Sequence, residues 1–413
     1  MKTQTKWIKS LPNPEGILEK TQLINRRYLT ESGFPEKANE AWRLTDLKKL
    51  EKLLEVPLKT KSNKHEYSNN IFTQKDKNNY LIINLGEANK SSKLAELPEG
   101  TNYLTEEEIE EKLNKLPKNL NDNEYWQLAL NRSSTKTIIA LKIDSKNTQH
   151  IDLIIPTDSE AFISTRVILI IKKESKVNLL EILDSKSISS ISHSIEIYME
   201  EGAEVKHGFI GLGAGDRSSL LNTILVEQDS MTHYSFTSIL SGWNLCRIEP
   251  QIRQLKGNAY TQIKNLQITN NREQISMRSS IIFEGPDGTL DQINKSIANA
   301  NSHCIFNGSV QVPRIAQKTN ASQMSRNLLM SKRARIDTKP ELEIIADDVK
   351  CIHGATVSQL QEDELFYLRS RGISTEQSKA LLLEGYCQEV LDSLPLDPNL
   401  IKELRNILLY PNK

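Results

Sequence analysis

Residues 162–182 read FISTRVILIIKKESKVNLLEI, and the fold turns on what kind of strand they make. The run 167–171 is uninterruptedly apolar and far too short to cross a bilayer, so it reads as a strand core. Working outward, similar short β-rich runs follow at 137–143, 151–155, 193–198, 205–210, 220–226 and 234–240. More appear around Ile281, Val310 and 342–345. Several alternate polar with apolar residues, as half-buried strands do, and no helical period interrupts them between about 136 and 357. An antiparallel sandwich of this length should carry many Asn-Gly or Asp-Gly turns. Only Asn307-Gly308 and Asp287-Gly288 qualify. A solenoid of short strands, a β-helix, is therefore favoured. No clean repeat is visible, and periodicity by itself leaves sandwich and solenoid both open.

The flanks read differently. Residues 1 to about 135 are mainly helical and irregular. A helix over 14–32 carries Ile17, Leu18, Ile24 and Tyr28, with Gly33 as its stop. Thr105 and Glu108 have the spacing of a capping box. The stretch 59–79 is rich in Lys, Asn, Ser and Asp and reads as a long loop. From about 358 to 413 the chain returns to helix. A helix over 363–371 ends at Gly372, and Ser374 with Gln377 forms a second capping box. The next helix places Leu383, Cys387, Leu391 and Leu394 on one face. Asp397 and Pro398 then supply an N-cap and an N1 proline for a third.

Composition excludes several function classes. The 413 residues hold 53 Lys+Arg and 53 Asp+Glu, so there is no electrostatic footprint for nucleic acid or a membrane surface. The four cysteines, Cys246, Cys304, Cys351 and Cys387, are widely spaced, with no C-x-x-C, which argues against a disulfide framework or a zinc ribbon. The N-terminal stretch has no apolar signal region, so a cytoplasmic, reducing location is expected.

Cys351 and His353 are two residues apart, so on a strand both project to one face, and Ile352 is expected to point the other way, into the core. Thiolate and imidazole suit iron or an iron–sulfur cluster, yet two ligands cannot complete such a site, so a second chain has to supply the rest. By spacing alone the simpler assignment also stands: Cys351 as a small buried hydrophobe and His353 as a hydrogen-bonded structural residue. Cys246, Cys304 and Cys387 read as packing residues, the His303-Cys304 side chains diverge, and His207 and His233 read as isolated structural histidines. The segment 211–216, GLGAGD, lacks the Gly-Lys-Ser/Thr ending of a phosphate loop and reads as a solenoid turn. A carbohydrate-active solenoid enzyme is a competing class, but aromatics for sugar stacking are only 6% of the chain.

Three segments carry a resemblance. Residues 337–357, DTKPELEIIADDVKCIHGATV, and 365–373, LFYLRSRGI, closely resemble signatures of the SufB/SufD family of iron–sulfur cluster assembly scaffolds. Residues 41–46, AWRLTD, resemble the family's N-terminal Trp-Arg-x-Thr-Asp element. SufB usually has Glu-His-Glu-Ala, and SufD Ser-His-Gly-Ala, where this chain has Ile352-His353-Gly354-Ala355. Gly354, and Leu368 where SufB tends to have Cys, favour the SufD branch; a SufB-like main scaffold is the alternative. The resemblance implies a mainly β fold: a right-handed parallel β-helix between N- and C-terminal helical regions. It implies a non-catalytic scaffold that pairs with SufB through the β-helix and binds the SufC ATPase through the C-terminal helices. Arg369 and Arg371 fall in that region without being singled out by it. His353 matches the histidine implicated at the SufB–SufD interface, with Cys351 beside it, near which a nascent cluster forms. No stably bound cofactor is implied, only transient iron or a cluster shared with SufB. A reduced flavin held together with the partners, and a homodimer without SufB, stay open.

Overall fold

The computed structural model describes residues 2–58, 72, 79–85, 97–113, 125–155, 160–185 and 188–409; the expected loop at 59–79 lies almost wholly outside them. The chain begins with α1 (Lys2–Ser10), α2 (Glu19–Ser32) and α3 (Leu47–Leu53), then β1 (Tyr80–Asn84), β2 (Thr101–Tyr103), α4 (Glu106–Leu113) and α5 (Trp126–Ser134). The strands β3 (Ile138–Ile143), β4 (Gln149–Ile154), β5 (Ala161–Ile171), β6 (Lys176–Asp184), β7 (Ser189–Met199), β8 (Glu204–Gln228) and β9 (His233–Gln254) follow. They continue as β10 (Tyr260–Thr269), β11 (Gln274–Phe283), β12 (Thr289–Ala298), β13 (His303–Val312), β14 (Asn320–Leu329), β15 (Arg335–Ile344) and β16 (Lys350–Ser358). The chain closes with α6 (Glu362–Ser370), α7 (Thr375–Leu391) and α8 (Pro398–Leu409).

The strands pair in parallel, except that β2 runs antiparallel to β3. They form the two walls of a β-solenoid. One wall stacks β2, β3, β5, β7, the second halves of β8 and β9, then β11, β13 and β15. The other stacks β1, β4, β6, the first halves of β8 and β9, then β10, β12, β14 and β16. Both β8 and β9 run through the bend from one wall to the other. Paired residues in consecutive coils lie between 26 apart (Ser219 and Leu245) and 32 apart (His303 and Arg335). That drift hides the repeat in the sequence. Strand β1 stands apart, since Tyr80 pairs with His150.

One corner is built the same way in six successive coils. Glu174, Gly202, Met231, Asn258, Asp287 and Lys318 all have left-handed backbone, and each donates its N–H to a carbonyl of the next coil at 2.6–3.1 Å. Asp287-Gly288 is thus a solenoid corner, whereas Asn307-Gly308 sits inside β13. At the bend within β8 and β9, Gly213 and Gly242 press backbone to backbone. A Cβ on Gly242, which has φ +75°, would lie 2.6 Å from the Gly213 carbonyl oxygen. Gly211 and Gly213 therefore serve close packing, and Gly215, with φ +69°, serves the turn itself.

Alternation then sorts side chains into a lumen and two outer surfaces. Inward residues such as Val167, Leu179, Ile195, Phe209, Phe236, Ile252 and Phe283 fill one apolar core. The outer surface of the first wall buries Phe162, Leu221 and Leu245 under Trp7, Trp42, Leu50 and Trp126 of the N-terminal helices. The outer surface of the second buries Leu180, Ile210, Ile239, Leu266 and Ile297 under Cys387, Val390, Leu391 and Leu404 of α7 and α8. The helical flanks thus cover opposite walls of one mainly β body. The expected caps form: Thr105 with Glu108, Ser374 with Gln377, and the Asp397 carboxylate with the Asn399 N–H. No helix is long and apolar enough to cross a membrane among the described residues.

Within this core lies a buried polar chain. Thr165 Oγ1 donates to His193 Nδ1 at 2.8 Å, and the Tyr234 hydroxyl donates to His207 Nδ1 at 2.9 Å. Each imidazole then presents Nε2–H to one Glu181 carboxylate oxygen, at 2.5 and 2.6 Å. His207 is therefore not isolated, because its partners come from neighbouring coils. Burial drives the Glu181 carboxyl up, but His193 and His207 outweigh it and hold it down at about 2.

Two predictions follow from this packing. A carboxyl depressed from its ordinary 4.5 stabilises the fold above that value and loses its contribution as pH falls toward about 2. Glu181→Gln removes that acid dependence from urea unfolding curves, and costs on the order of 3 kcal/mol at neutral pH because one buried N–H loses its acceptor. Gly242→Ala lowers unfolding stability by roughly 2 kcal/mol through backbone strain, read by the same titration.

Candidate functional site

Strand β16 is the last strand of its wall and β15 the last of the other; among the described residues neither has a partner strand beyond it. Most residues of β16 are exposed, and those of β15 are exposed or half-buried, unlike every strand between β5 and β14. The final coil is an open end.

Cys351 and His353 stand on β16 opposite Ala321 and Gln323 of β14, both buried inward-facing residues. Both side chains therefore project on the lumen side of the open coil, as the spacing implied. Cys351 is half-buried against the core, while His353 is exposed. Ile352 does point the other way, but not into a core: it lies on the outer surface, 62% exposed. The expectation fails because a solenoid wall has its core on one side only, and here Cys351 and His353 occupy that side. Gly354 is on the outer surface too, where a Cβ would come within 3.1 Å of Met324 Cε.

Burial raises the Cys351 thiol above its ordinary value, partly offset by a hydrogen bond from the Ala321 backbone. A bound metal or a positive neighbour would be needed to favour its thiolate. The other three cysteines are buried. Cys246 and Cys304 lie in the lumen and Cys387 under α7, and burial pushes Cys304 and Cys387 up to about 12. The His303 and Cys304 side chains do diverge. His303 turns outward, its Nε2–H donating to Asp337 Oδ2 (2.6 Å) and its Nδ1 accepting from Gln274 Nε2 (2.9 Å), while Cys304 faces inward. No group of three or more metal-binding side chains converges among the described residues. The terminal pair is thus an incomplete ligand set on an unpaired edge.

The segment 41–46 acts at a distance from this pair. The Arg247 guanidinium lies 4.0 Å from the Trp42 ring centroid and donates to the Ala41 carbonyl and the Thr45 hydroxyl. Asp46 caps α3 and its N–H donates to Gln274 Oε1. The motif clasps the N-terminal helices onto β9 and β11. Its role is mechanical, which residue type and spacing could not reveal.

On the C-terminal side, Leu365 of α6 is buried, whereas Phe366 and Tyr367 are 72% and 58% exposed. The polar residues Thr237 and Lys295 fix α7 from below: Thr237 Oγ1 donates to the Ser393 carbonyl and Lys295 pairs with Glu389 at 2.8 Å. The LFYLRSRGI segment therefore begins on a short helix that leaves two aromatic side chains uncovered.

Because Cys351 alone among the four thiols is not buried, limited alkylation of the native protein with iodoacetamide adds one adduct, at Cys351, and the other three react only after denaturation. Peptide mapping by mass spectrometry reads this directly; native labelling of Cys246 or Cys304 would contradict the lumen assignment.

Comparison with known proteins agrees with this geometry. Residues 154–386 match the family model described as SUF system FeS cluster assembly, SufBD core domain. An iron–sulfur cluster assembly SufBD family protein of Synechocystis is 30% identical over 403 residues, covering 92% of this chain and 89% of that protein. The iron–sulfur cluster assembly protein SufD of Escherichia coli is 34% identical over 174 residues, 42% of this chain and 40% of that protein. SufD of Plasmodium berghei is 28% identical over 239 residues, 57% of this chain and 18% of that longer protein. The matched core and the near-complete alignment to the Synechocystis protein lead to one conclusion: the chain belongs to the SufB/SufD family of iron–sulfur cluster assembly proteins.

Proposed function

We propose that this chain is the SufD-type scaffold of a three-component assembly, pairing with SufB through its open coil and carrying the SufC ATPase on its C-terminal helices. The observation that carries this reading is the incomplete Cys351–His353 pair on a terminal strand with unsatisfied backbone edges. A row of free N–H and C=O groups is a template for another chain. Ile344, Ile345, Ile352 and Val357 add exposed apolar surface around it. One partner strand would satisfy the edge, cover these side chains and bring the missing ligands to the same place. Nascent cluster or iron is then cargo shared between two chains, held transiently by His353 and, with its thiol activated, by Cys351.

The exposed Phe366 and Tyr367 on α6, braced by α7 against the solenoid, are the surface we assign to SufC. Arg369 and Arg371 extend the same helix end. The glycine-rich segment 211–216 forms the bend within β8, with Gly213 packed against Gly242, which supports leaving ATP hydrolysis to that partner. Thiols without disulfides fit work in a reducing compartment such as the cytoplasm.

The test is cluster assembly in a complex of His353→Ala with SufB and SufC, after gel filtration has confirmed that the three chains still associate. Loss of an interface ligand lowers cluster yield by about tenfold or more. Unchanged yield with the complex intact would remove His353 from the chemistry and leave the chain as a structural partner.

A further inference from the structure

On the lumen side of the second wall, Gln292 of β12, Gln323 of β14 and His353 of β16 stand in one register column. Gln292 and Gln323 are fully buried. Buried amides persist where their polar ends are bonded. Gln323 Nε2 donates to Gln292 Oε1 at 2.9 Å, and Gln292 Nε2 donates across the lumen to Ser279 Oγ of β11 at 2.7 Å. The chain of amides is directional: each nitrogen is spent toward the preceding coil. The Gln323 Oε1 atom is left over, buried and without a hydrogen-bond partner among the described residues. Space for this amide is reserved by Gly308, where a Cβ would collide with Gln323 Nε2. The next side chain along the column is His353, one strand spacing away at about 4.8 Å.

We propose that Gln323 is a positioning residue for His353. Its free Oε1 accepts one imidazole N–H, fixes the tautomer, and leaves the other ring nitrogen, with its lone pair, directed out of the open end. Imidazoles that bind metals commonly donate their second N–H to a carbonyl or carboxylate in this way. The value of the contact rests on the reading of His353 as an interface ligand, but the contact itself does not. Ser279, Gln292 and Gln323 then act together, extending the orientation of one exposed imidazole back into the packed lumen.

The full-length chain labelled with 15N-histidine tests this at mildly alkaline pH. The seven histidines give a tractable spectrum, and His353→Asn assigns the signal in question. In the wild type, His353 shows a solvent-protected N–H and one tautomer in about tenfold excess, the population a single hydrogen bond sustains. Gln323→Leu loses the protected N–H, and the tautomer ratio relaxes to that of a free imidazole. Gln323→Glu keeps an acceptor and retains the signal, since the Ser279 hydroxyl can turn to donate and the Gln292 amide can turn over with it. An unchanged His353 signal in Gln323→Leu, with the other six histidine signals in place, overturns the proposal. Should the leucine variant not fold, Gln292→Leu frees the Gln323 amide to turn and is expected to weaken protection; no change there overturns it equally. Cluster yield in the complex separates the two readings. A shifted signal with full yield upholds the positioning contact and removes His353 from the cluster site. A lowered yield with an unshifted signal overturns the contact and leaves the ligand role standing.

Discussion

The parallel hydrogen-bond ladder between successive coils is the constraint on which the rest of this molecule depends. Each strand satisfies its backbone only through the coil before and the coil after it. Such a ladder cannot close on itself as a barrel does; it must have two ends. At the beginning, β2 lies antiparallel on β3 and the helices around Trp126 pack on the first wall. At the other end, β15 and β16 stop with no strand beyond them among the described residues. The last coil is the exposed end of the ladder, with β16 largely exposed and β15 exposed or half-buried.

The helical flanks follow from the same geometry. A wall two residues in period shows one side to the lumen and one to solvent, and in this chain both sides are apolar over the middle coils. The continuous run 167–171 is the clearest case: Val167, Leu169 and Ile171 fill the lumen while Ile168 and Ile170 pack outside under Leu18 and Leu104. The uncovered outer surface would be a long hydrophobic stripe, and the two helical regions remove it, one on each wall. Buried charge fixes where they sit. Arg132 of α5 and Arg166 of β5 share Glu196, with Arg166 Nη2 at 2.5 Å, and Asn131 donates to the carbonyls of Thr165 and Ser192. These groups are fully buried, so a helix shifted by one turn would leave charges unpaired in the core, at a cost of several kcal/mol.

What could be read from sequence divides by the range of the interaction. Caps such as Thr105 with Glu108 or Ser374 with Gln377 close within three residues, and they were legible. The strand-rich core and its helical flanks were legible from period and turn chemistry. The coil itself was not, because its offset drifts between 26 and 32 residues and because lumen positions such as Asn265, Gln292 and Asn294 are polar. Asn265 and Asn294 bond to each other between coils at 2.6 Å, so their polarity is internal and mimics a surface pattern. The Glu181 carboxylate with His193 and His207 was invisible for the same reason: two successive coils contribute to one contact. Asn307-Gly308 has the letters of a hairpin, yet its glycine makes room for an amide in the next coil. Sending Ile352 into a core requires one on the side away from the cysteine and histidine, and the wall has none there. The spacing rule was right and the side was wrong, since the rule orders faces without saying which face is filled.

The open end joins these two arguments. An exposed edge strand carries a cost in solubility, and most proteins blunt it with charge, proline or a covering element. Here β15 carries Lys339, Pro340, Glu341 and Glu343, which discourage indiscriminate pairing. Strand β16 carries none of these beyond Lys350 and instead presents Cys351, His353, Ala355 and Val357 on its lumen side. The two last strands are thus unequal: one is guarded and the other is left available. On the proposed pairing, a partner strand on β16 would complete the ladder and, by the same step, bring its side chains to the mouth of the lumen, beside Cys351 and His353. Assembly of the complex and completion of the ligand set would then be one event, because two ligands on one chain are too few to retain a cluster.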